Sequence, residues 1–426
     1  MKILVVGSGG REHAIIKKIS ESPRVKEIYA APGNGGIADI ATLVDIKADE
    51  IEKLACFVYE RGIDLTIVGP EAPLAEGITE AFEERHLRIF GPSKEASRLE
   101  ASKIFTKEIC KKYNIPTAGF EVFDEPQKAM DYIERAEKPQ VVKADGLAGG
   151  KGVVVAGDKV EAKEAVRAMM IEKQFGDAGL KVMIEERLYG EEASILVLSD
   201  GENIYPLASS QDHKQIYDED RGPNTGGMGA YSPAPIITDT MYQRIIAEII
   251  TPTVFAMKEE GCPYKGVLYA GVMITEEGPM LLEYNVRFGD PETQAVLPRM
   301  KSDLIEAIEA VIDGRLNELK VEWDERSCVC VVLASGGYPA GYEKGKTISG
   351  LDKVKKLKDI AVYHAGTKKE DGKVYTSGGR VLGVTALDKD ITGAIDKVYK
   401  AIKLISFDKM YYRTDIGQKA VKRVKS

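Results

Sequence analysis

The chain has 426 residues, 44% hydrophobic and 30% charged, with 59 basic against 67 acidic side chains and a formal charge of −8. That length exceeds what one core supports and predicts about three domains. The composition excludes a disordered or fibrous chain, the lack of a basic block argues against nucleic acid, and no apolar run approaches the ~18 residues that span a bilayer.

KILVVG at the N-terminus reads as a strand and not a signal peptide, because its apolar run is short before glycine. REHAIIKKIS follows as a helix, EIYAAPG as a strand and EIEKLACFVYERG as a helix. DLTIVGPE and RIFGPS are then strands ending in Gly/Pro turns. This alternation predicts a doubly wound parallel sheet whose ligand loops are GSGGREH, APGNGG and VGPEAPLAEG. The dinucleotide pattern GxGxxG fails, since Glu12 holds the third glycine position and no acid follows EIYAAPG. What remains is either a plain tight turn or an anion site at a helix N-terminus, with a sugar phosphate the preferred ligand of Gly9 and Gly10.

From about residue 101, SKIFTKEICKKYN reads as a helix that stops before Ile115-Pro116. KADGLAGGKGVVVA is a glycine turn between strands. It is not a Walker loop, because Asp145 stands at the first glycine position and Gly152 replaces the Ser/Thr. MIEERLYGEEASILVLSDG and its continuation predict antiparallel strands. Residues 209–235 form a long polar stretch expected to be ordered and functional. Helices are expected near 238–260 and 301–313, and CVCVVLASGGYP opens a smaller third α/β region with a hairpin-like segment, VYHAGTKKEDGKVYTSGGRVLGVTAL. The five cysteines (Cys56, Cys110, Cys262, Cys328, Cys330) contain no CxxC pair and predict structural filler in a reducing cytoplasm, and four scattered histidines predict no zinc site.

LEYNVRFGDPETQ, Leu282 to Gln294, carries the most chemistry. On a strand Glu283, Asn285 and Arg287 share one face, while Leu282, Tyr284 and Val286 face the core. Glu and Asn oxygens suit magnesium shared with phosphates, and a guanidinium suits a phosphoryl oxygen.

Taken in order, these motifs resemble the ATP-grasp ligases, and within them the phosphoribosylamine–glycine ligase (glycinamide ribonucleotide synthetase) family of purine biosynthesis. GSGGREHA, APGN, GPEAPL, GPSKEASRLEASKIFTK, VVKADGLAGGKGV, QDHK, GPNTGGMGAYSPAP, LEYNVRFGDPETQ, LASGGYP and YYRTDIG carry the resemblance over nearly the whole chain. It implies that glycine, ATP and 5-phosphoribosylamine give glycinamide ribonucleotide, ADP and phosphate through glycyl phosphate. It also implies a cytoplasmic monomer with no nucleic-acid or membrane partner. The domains implied are 1–100 for phosphoribosylamine, 101–325 for the ATP-grasp fold with a mobile lid at about 120–190, and 326–426.

By resemblance, Lys103 and Lys143 hold ATP phosphates under Gly149, Gly150 and Lys151. Glu185, Glu186 and Leu188 border adenine, and Glu192 (or Glu191, in the alternative register) takes the ribose. Glu283 and Asn285 bind magnesium or manganese. Gly9, Gly10, Arg11, Glu12, Asn34, Gly35, Pro70, Glu71, Asp212, Lys214, Asn224, Thr225, Gly226, Arg287 and Glu292 line the substrate cleft. Arg287 stabilises the transferring group, and Asp212, Asp290 or Glu292 holds the glycine ammonium. The competing readings are another ATP-grasp carboxylate–amine ligase, a nucleotide-binding protein without catalysis, and, remotely, an oxidoreductase.

Overall fold

The computed structural model describes residues 1–148 and 152–425. Its N-terminal sheet is parallel throughout, in the order β3-β2-β1-β4-β5. The strands are β1 (Lys2–Gly7), β2 (Glu27–Pro32), β3 (Thr42–Leu43), β4 (Leu65–Val68) and β5 (Ile89–Phe90). Ile3, Leu4, Val5 and Val6 are wholly buried, as a strand covered by helices on both faces requires.

A second, antiparallel sheet contains β6 (Phe120–Phe123), β7 (Gln140–Ala144), β8 (Val153–Val155) and β9 (Val182–Glu186), in the order β6-β9-β7-β8. It has its own small core, built on Ile133, Val142, Val166, Met169 and Ile184. The lid loop expected at 146–152 lies partly outside the described residues, and Gly149, Gly150 and Lys151 lie wholly outside them.

β10 (Glu191–Asp200) and β11 (Ile204–Pro206) begin the sheet that floors the cleft. The stretch 209–235 is not a loop without regular structure. It folds as β12 (Gln211–Asp212), the hairpin β13 (Gln215–Tyr217) and β14 (Arg221–Asn224), and β15 (Gly229–Ser232). β16 (Lys265–Ile274) and β17 (Pro279–Asn285) complete the floor in the antiparallel order β11-β10-β16-β17.

The C-terminal region supplies β18 (Ser327–Ala334), β19 (Thr347–Ile348), β20 (Ile360–His364), β21 (Thr367–Glu370), β22 (Lys373–Thr376) and β23 (Arg380–Asp388). Its main sheet runs β12-β15-β18-β23-β20, so two strands from the 209–235 stretch are built into it. That shared sheet ties the third region to the cleft. Cys110, Cys328 and Cys330 are buried, but Cys56 is exposed on its helix and Cys262 is half-buried, so filler describes only the first three. Among the described residues no helix is long and apolar enough to cross a membrane.

Candidate active site

The floor of the cleft is one face of β10-β16-β17. Glu192 pairs with Met273, Ser194 and Glu283 both pair with Gly271, and Asn285 pairs with Tyr269. Residues opposite one another on antiparallel strands share a face, so Glu192, Ser194, Glu283 and Asn285 form one polar patch. The reverse face (Ile195, Leu268, Ala270, Leu281, Tyr284) joins the large central core. Leu282 departs from the alternation expected of it. A β-bulge between Gly271 and Val272 leaves it unpaired, so Leu281 takes the core position and Leu282 is half-exposed. The turned carbonyl of Leu282 accepts from Lys143 Nζ at 3.2 Å.

Above this floor lies a lysine cradle. Lys143 Nζ is 2.9 Å from Glu185 Oε2, and Lys107 Nζ is 3.3 Å from Glu185 Oε1. Lys103, one turn before Lys107 on the helix Lys103–Lys112, donates to the Gly146 carbonyl at 3.3 Å. Burial pulls both Lys103 and Lys107 below the ordinary lysine range. Ammonium groups gathered in this way favour an anion such as a triphosphate. Lys107 was not among the residues singled out from sequence. The signal was available, because positions i and i+4 share a helix face.

Opposite the cradle, Lys214 Nζ bridges Glu192 Oε2 at 3.0 Å and Glu283 Oε1 at 3.2 Å. Lys214, with Lys143 and Lys103 behind it, holds the Glu283 carboxyl down at about 2. Beside this pair, Glu292 Oε1 accepts from Ser194 Oγ at 3.1 Å, and Ser194 Oγ is 3.1 Å from the Tyr269 hydroxyl. Burial and the neighbouring Glu292 push the Asp212 carboxyl well above the usual aspartate range. Lys214 and Arg380 work against that rise.

A lysine cradle, an ionised Glu283 sharing a strand face with Asn285, and an acid pair adjoin one another around β17. Three family models cover the chain in the same order. Phosphoribosylglycinamide synthetase N domain matches residues 1–100, its ATP-grasp (A) domain 101–293, and its C domain 328–419. The chain belongs to the phosphoribosylglycinamide synthetase family. A phosphoribosylamine–glycine ligase from Caldanaerobacter subterraneus is 52% identical, over 98% of this chain and 99% of its own. The crystal structure of the Thermotoga maritima phosphoribosylamine–glycine ligase superposes with a TM-score of 0.83 at 34% identity, covering 98% of this chain and all of that one. A Campylobacter jejuni biotin carboxylase shares the fold alone, with a TM-score of 0.74 at 14% identity over 99% and 95% of the two chains. The protein is thus an ATP-dependent ligase of the ATP-grasp type.

Within this synthetase-family fold, several expected residues take other roles. The amides at the start of the helix Gly10–Ile19 are already engaged. Gly9 N donates to Glu12 Oε2 at 2.5 Å, and Arg11 N donates to Asp290 Oδ2 at 3.1 Å. Glu12 and Asp290 thus stand at the helix end where Gly9 and Gly10 are expected to anchor a phosphate. Glu12 is buried beneath Gly7, Gly9 and Gly69, where any added Cβ would collide with it, and it pairs with Arg11 Nε at 2.7 Å. Asn34 spends its amide on loop structure. Nδ2 donates to the Ser8 and His364 carbonyls, and Oδ1 accepts from Gly36 and Ile37. Gly35 packs on the Lys368 backbone. The Asn34–Gly35 loop therefore docks the N-terminal sheet on the C-terminal region.

Arg287, expected to stabilise the transferring group, is bonded to two acids and a carbonyl. Nε bonds Glu71 Oε2 at 3.1 Å, Nη2 bonds Glu100 Oε1 at 2.9 Å, and Nη1 bonds the Phe288 carbonyl at 3.2 Å. Burial works against the ionised Glu71, but Arg287 and Arg11 outweigh it and hold Glu71 at about 2. Pro70 caps the helix Glu71–Glu76 and presents that acid.

Asp290, one of the three acids expected to hold the glycine ammonium, has partners on several sides. It accepts from Arg11 N and from Gln294 Nε2 at 2.8 Å, and it faces Arg380 Nη1 at 3.3 Å. Arg380, on β23, also donates to the Gly226 carbonyl at 2.5 Å and the Asp290 carbonyl at 2.8 Å. Nothing in its own segment signalled this role. Thr225 bonds the Lys214 carbonyl, Gly226 N donates to the Tyr338 hydroxyl, and Asn224 pairs with Gln215 across the hairpin. Glu185 faces Lys107 and Lys143, whereas Glu186 is half-exposed on Lys138 and Leu188 is half-buried at the strand end. Between the alternative acids, Glu192 faces the cleft, and Glu191 turns to Arg423.

Proposed function

We propose that this cleft joins glycine to the amine of 5-phosphoribosylamine, with ATP converted to ADP and phosphate. The relatives bear the name phosphoribosylamine–glycine ligase. The observation that carries the reading is the acid pair of half-buried Asp212 and buried Glu292, lying beside the Glu192–Glu283–Lys214 face. It offers an ammonium seat next to a phosphate seat. In this reading Asp212 and Glu292 receive the glycine ammonium, and Lys103 and Lys143 receive the ATP phosphates, with Lys107 placing Glu185 behind them. The β9 end from Glu186 to Leu188 borders adenine, and Glu192 meets the ribose. Lys107 and Lys143 are fixed through Glu185, so the cradle is ordered before nucleotide arrives.

The donor set fits a hard divalent cation. Glu283 stays ionised down to about 2, and Asn285 shares its strand face. Glu283 and Asn285 would hold magnesium or manganese, which would supply charge neutralisation for the phosphate oxygens when bound.

A glycine carboxylate oxygen attacks the γ-phosphorus, the bond to ADP breaks, and glycyl phosphate forms. The amine of phosphoribosylamine then attacks the acyl carbon, and phosphate leaves with one former glycine oxygen. Phosphoribosylamine lies at the carboxyl ends of β1 and β4, the crevice where open α/β sheets bind ligands. There Glu71 offers an ionised acceptor for ribose hydroxyls. The three divisions 1–100, 101–325 and 326–426, with a closing lid at about 120–190, and a cytoplasmic monomer complete the reading, since one chain supplies every group named. Glycine labelled with ¹⁸O in its carboxylate tests the route. One label must reach the released phosphate, and unlabelled phosphate would sink it.

A further inference from the structure

Lys214 stands where several acids converge. Its backbone is fixed, because the Lys214 carbonyl accepts from both the amide and the hydroxyl of Thr225, each at 2.8 Å. From that root the ammonium reaches Glu192 on β10 at 3.0 Å and Glu283 on β17 at 3.2 Å. On β16, between those two strands, the residue opposite Glu283 is Gly271, which has no side chain, and the residue opposite Glu192 is Met273. Asp212 and the Tyr269 hydroxyl face the same ammonium, while Lys143 and Lys103 face Glu283 from the cradle side.

This arrangement conflicts with a loaded site. A divalent cation on Glu283 and a lysine ammonium on the same carboxylate repel strongly at such distances. A ribose hydroxyl on Glu192 competes for the other half of the bridge. Nucleotide and metal together would therefore remove both of the partners that hold Lys214 in place. The released ammonium is rooted two residues from Asp212, beside the acid pair that receives the glycine ammonium, where an amino acid's carboxylate would need a cation.

We propose that Lys214 is a resident counter-cation of the empty site. It holds Glu192 and Glu283 until metal and nucleotide displace it, and its charge then passes to the carboxylate of glycine. This rests on Glu283 being a metal ligand. It makes glycine binding depend on prior nucleotide binding, and linkage requires the converse dependence as well.

The experiment titrates Mn²⁺ alone, followed by electron paramagnetic resonance, into nucleotide-free wild type, Lys214→Met, Lys214→Gln, Lys103→Met and Glu283→Gln. Thermal melts establish that each variant is folded. Calorimetry then measures glycine binding with and without ADP and Mn²⁺. Lys214→Met and Lys214→Gln should each bind Mn²⁺ at least about tenfold more tightly than wild type. Lys103→Met removes the same charge from the cradle and should change Mn²⁺ binding far less. Glycine affinity in wild type should rise when ADP and Mn²⁺ are present, and that rise should vanish in both Lys214 variants. Equal tightening in Lys103→Met and Lys214→Met would reduce the effect to net charge and overturn the proposal. So would a glycine response to ADP that survives without Lys214. Mn²⁺ binding unchanged in Glu283→Gln would instead remove the metal reading itself, which separates the two failures.

Discussion

Lys107 Nζ lies 3.3 Å from Glu185 Oε1, and neither side chain is more than 3% exposed. The pair fixes Glu185 so that its second oxygen orients Lys143 at 2.9 Å. Lys107 thus shapes the nucleotide cradle through another residue and acts as a positioning residue. Removing one partner of a buried pair typically costs about 3–5 kcal/mol. For Lys107→Met the expected loss is near the lower end, about 3 kcal/mol, because Lys143 still neutralises Glu185. Urea denaturation measures this. The same variant should raise the KM for ATP and leave the KM for glycine unchanged, and a shift in both would indicate general loosening.

Glu283→Gln should lower turnover by at least about 10²-fold, the cost usual for losing one electrostatic stabiliser of a transition state. It should also raise the magnesium concentration needed for half-maximal rate. The fold should survive, since the side chain lies on the polar face of β17 and Lys214 keeps Glu192 as a partner. Steady-state kinetics across a magnesium series, with a melting curve as control, checks both parts. Near-normal turnover at low magnesium would remove Glu283 from the site.

Asp212→Asn keeps an oxygen for the His213 amide, which Asp212 accepts at 2.6 Å, but removes the charge. A hydrogen bond to a charged group contributes about 1.5–3 kcal/mol, so the KM for glycine should rise by roughly 10- to 150-fold. The KM for ATP should stay put. An ATP effect as large as the glycine effect would place Asp212 in the nucleotide half of the cleft.

Acid should loosen the joint between the N-terminal and C-terminal regions. His364 N donates to His13 Nδ1 at 2.9 Å, and both rings are buried. Burial, and for His13 also the neighbouring His364, lowers His13 to about 3; burial lowers His364 to about 4. The unfolded chain then takes up these protons first, near the ordinary 6.5. Stability is therefore full above about 6.5 and is lost as pH falls toward 4 and then 3, by up to about 1.4 kcal/mol per pH unit for each ring. Melting temperatures of wild type and His13→Gln between pH 7 and 4 should converge on acidification, and parallel curves would count against the assignment.

The sequence by itself determined whatever depends on near neighbours in the chain. Strand–helix alternation was enough for the parallel N-terminal sheet, and a period of two was enough to put Glu283 and Asn285 on one face. The order of short motifs was enough for the family. Only the tertiary structure decided what those side chains touch. Leu282 left the core because the bulge depends on how β17 meets Gly271 and Val272 on another strand. Arg287 was taken by Glu71 and Glu100, 216 and 187 positions away in the chain. Asp290 was claimed by Arg11 and by Arg380 from the C-terminal region. Glu12 and Asp290 filled the helix end where a phosphate was expected. Periodicity is a local property of the backbone, whereas a buried charge is committed to whichever opposite charge or amide the folded chain brings within about 3 Å, because leaving it unpaired costs far more than pairing it.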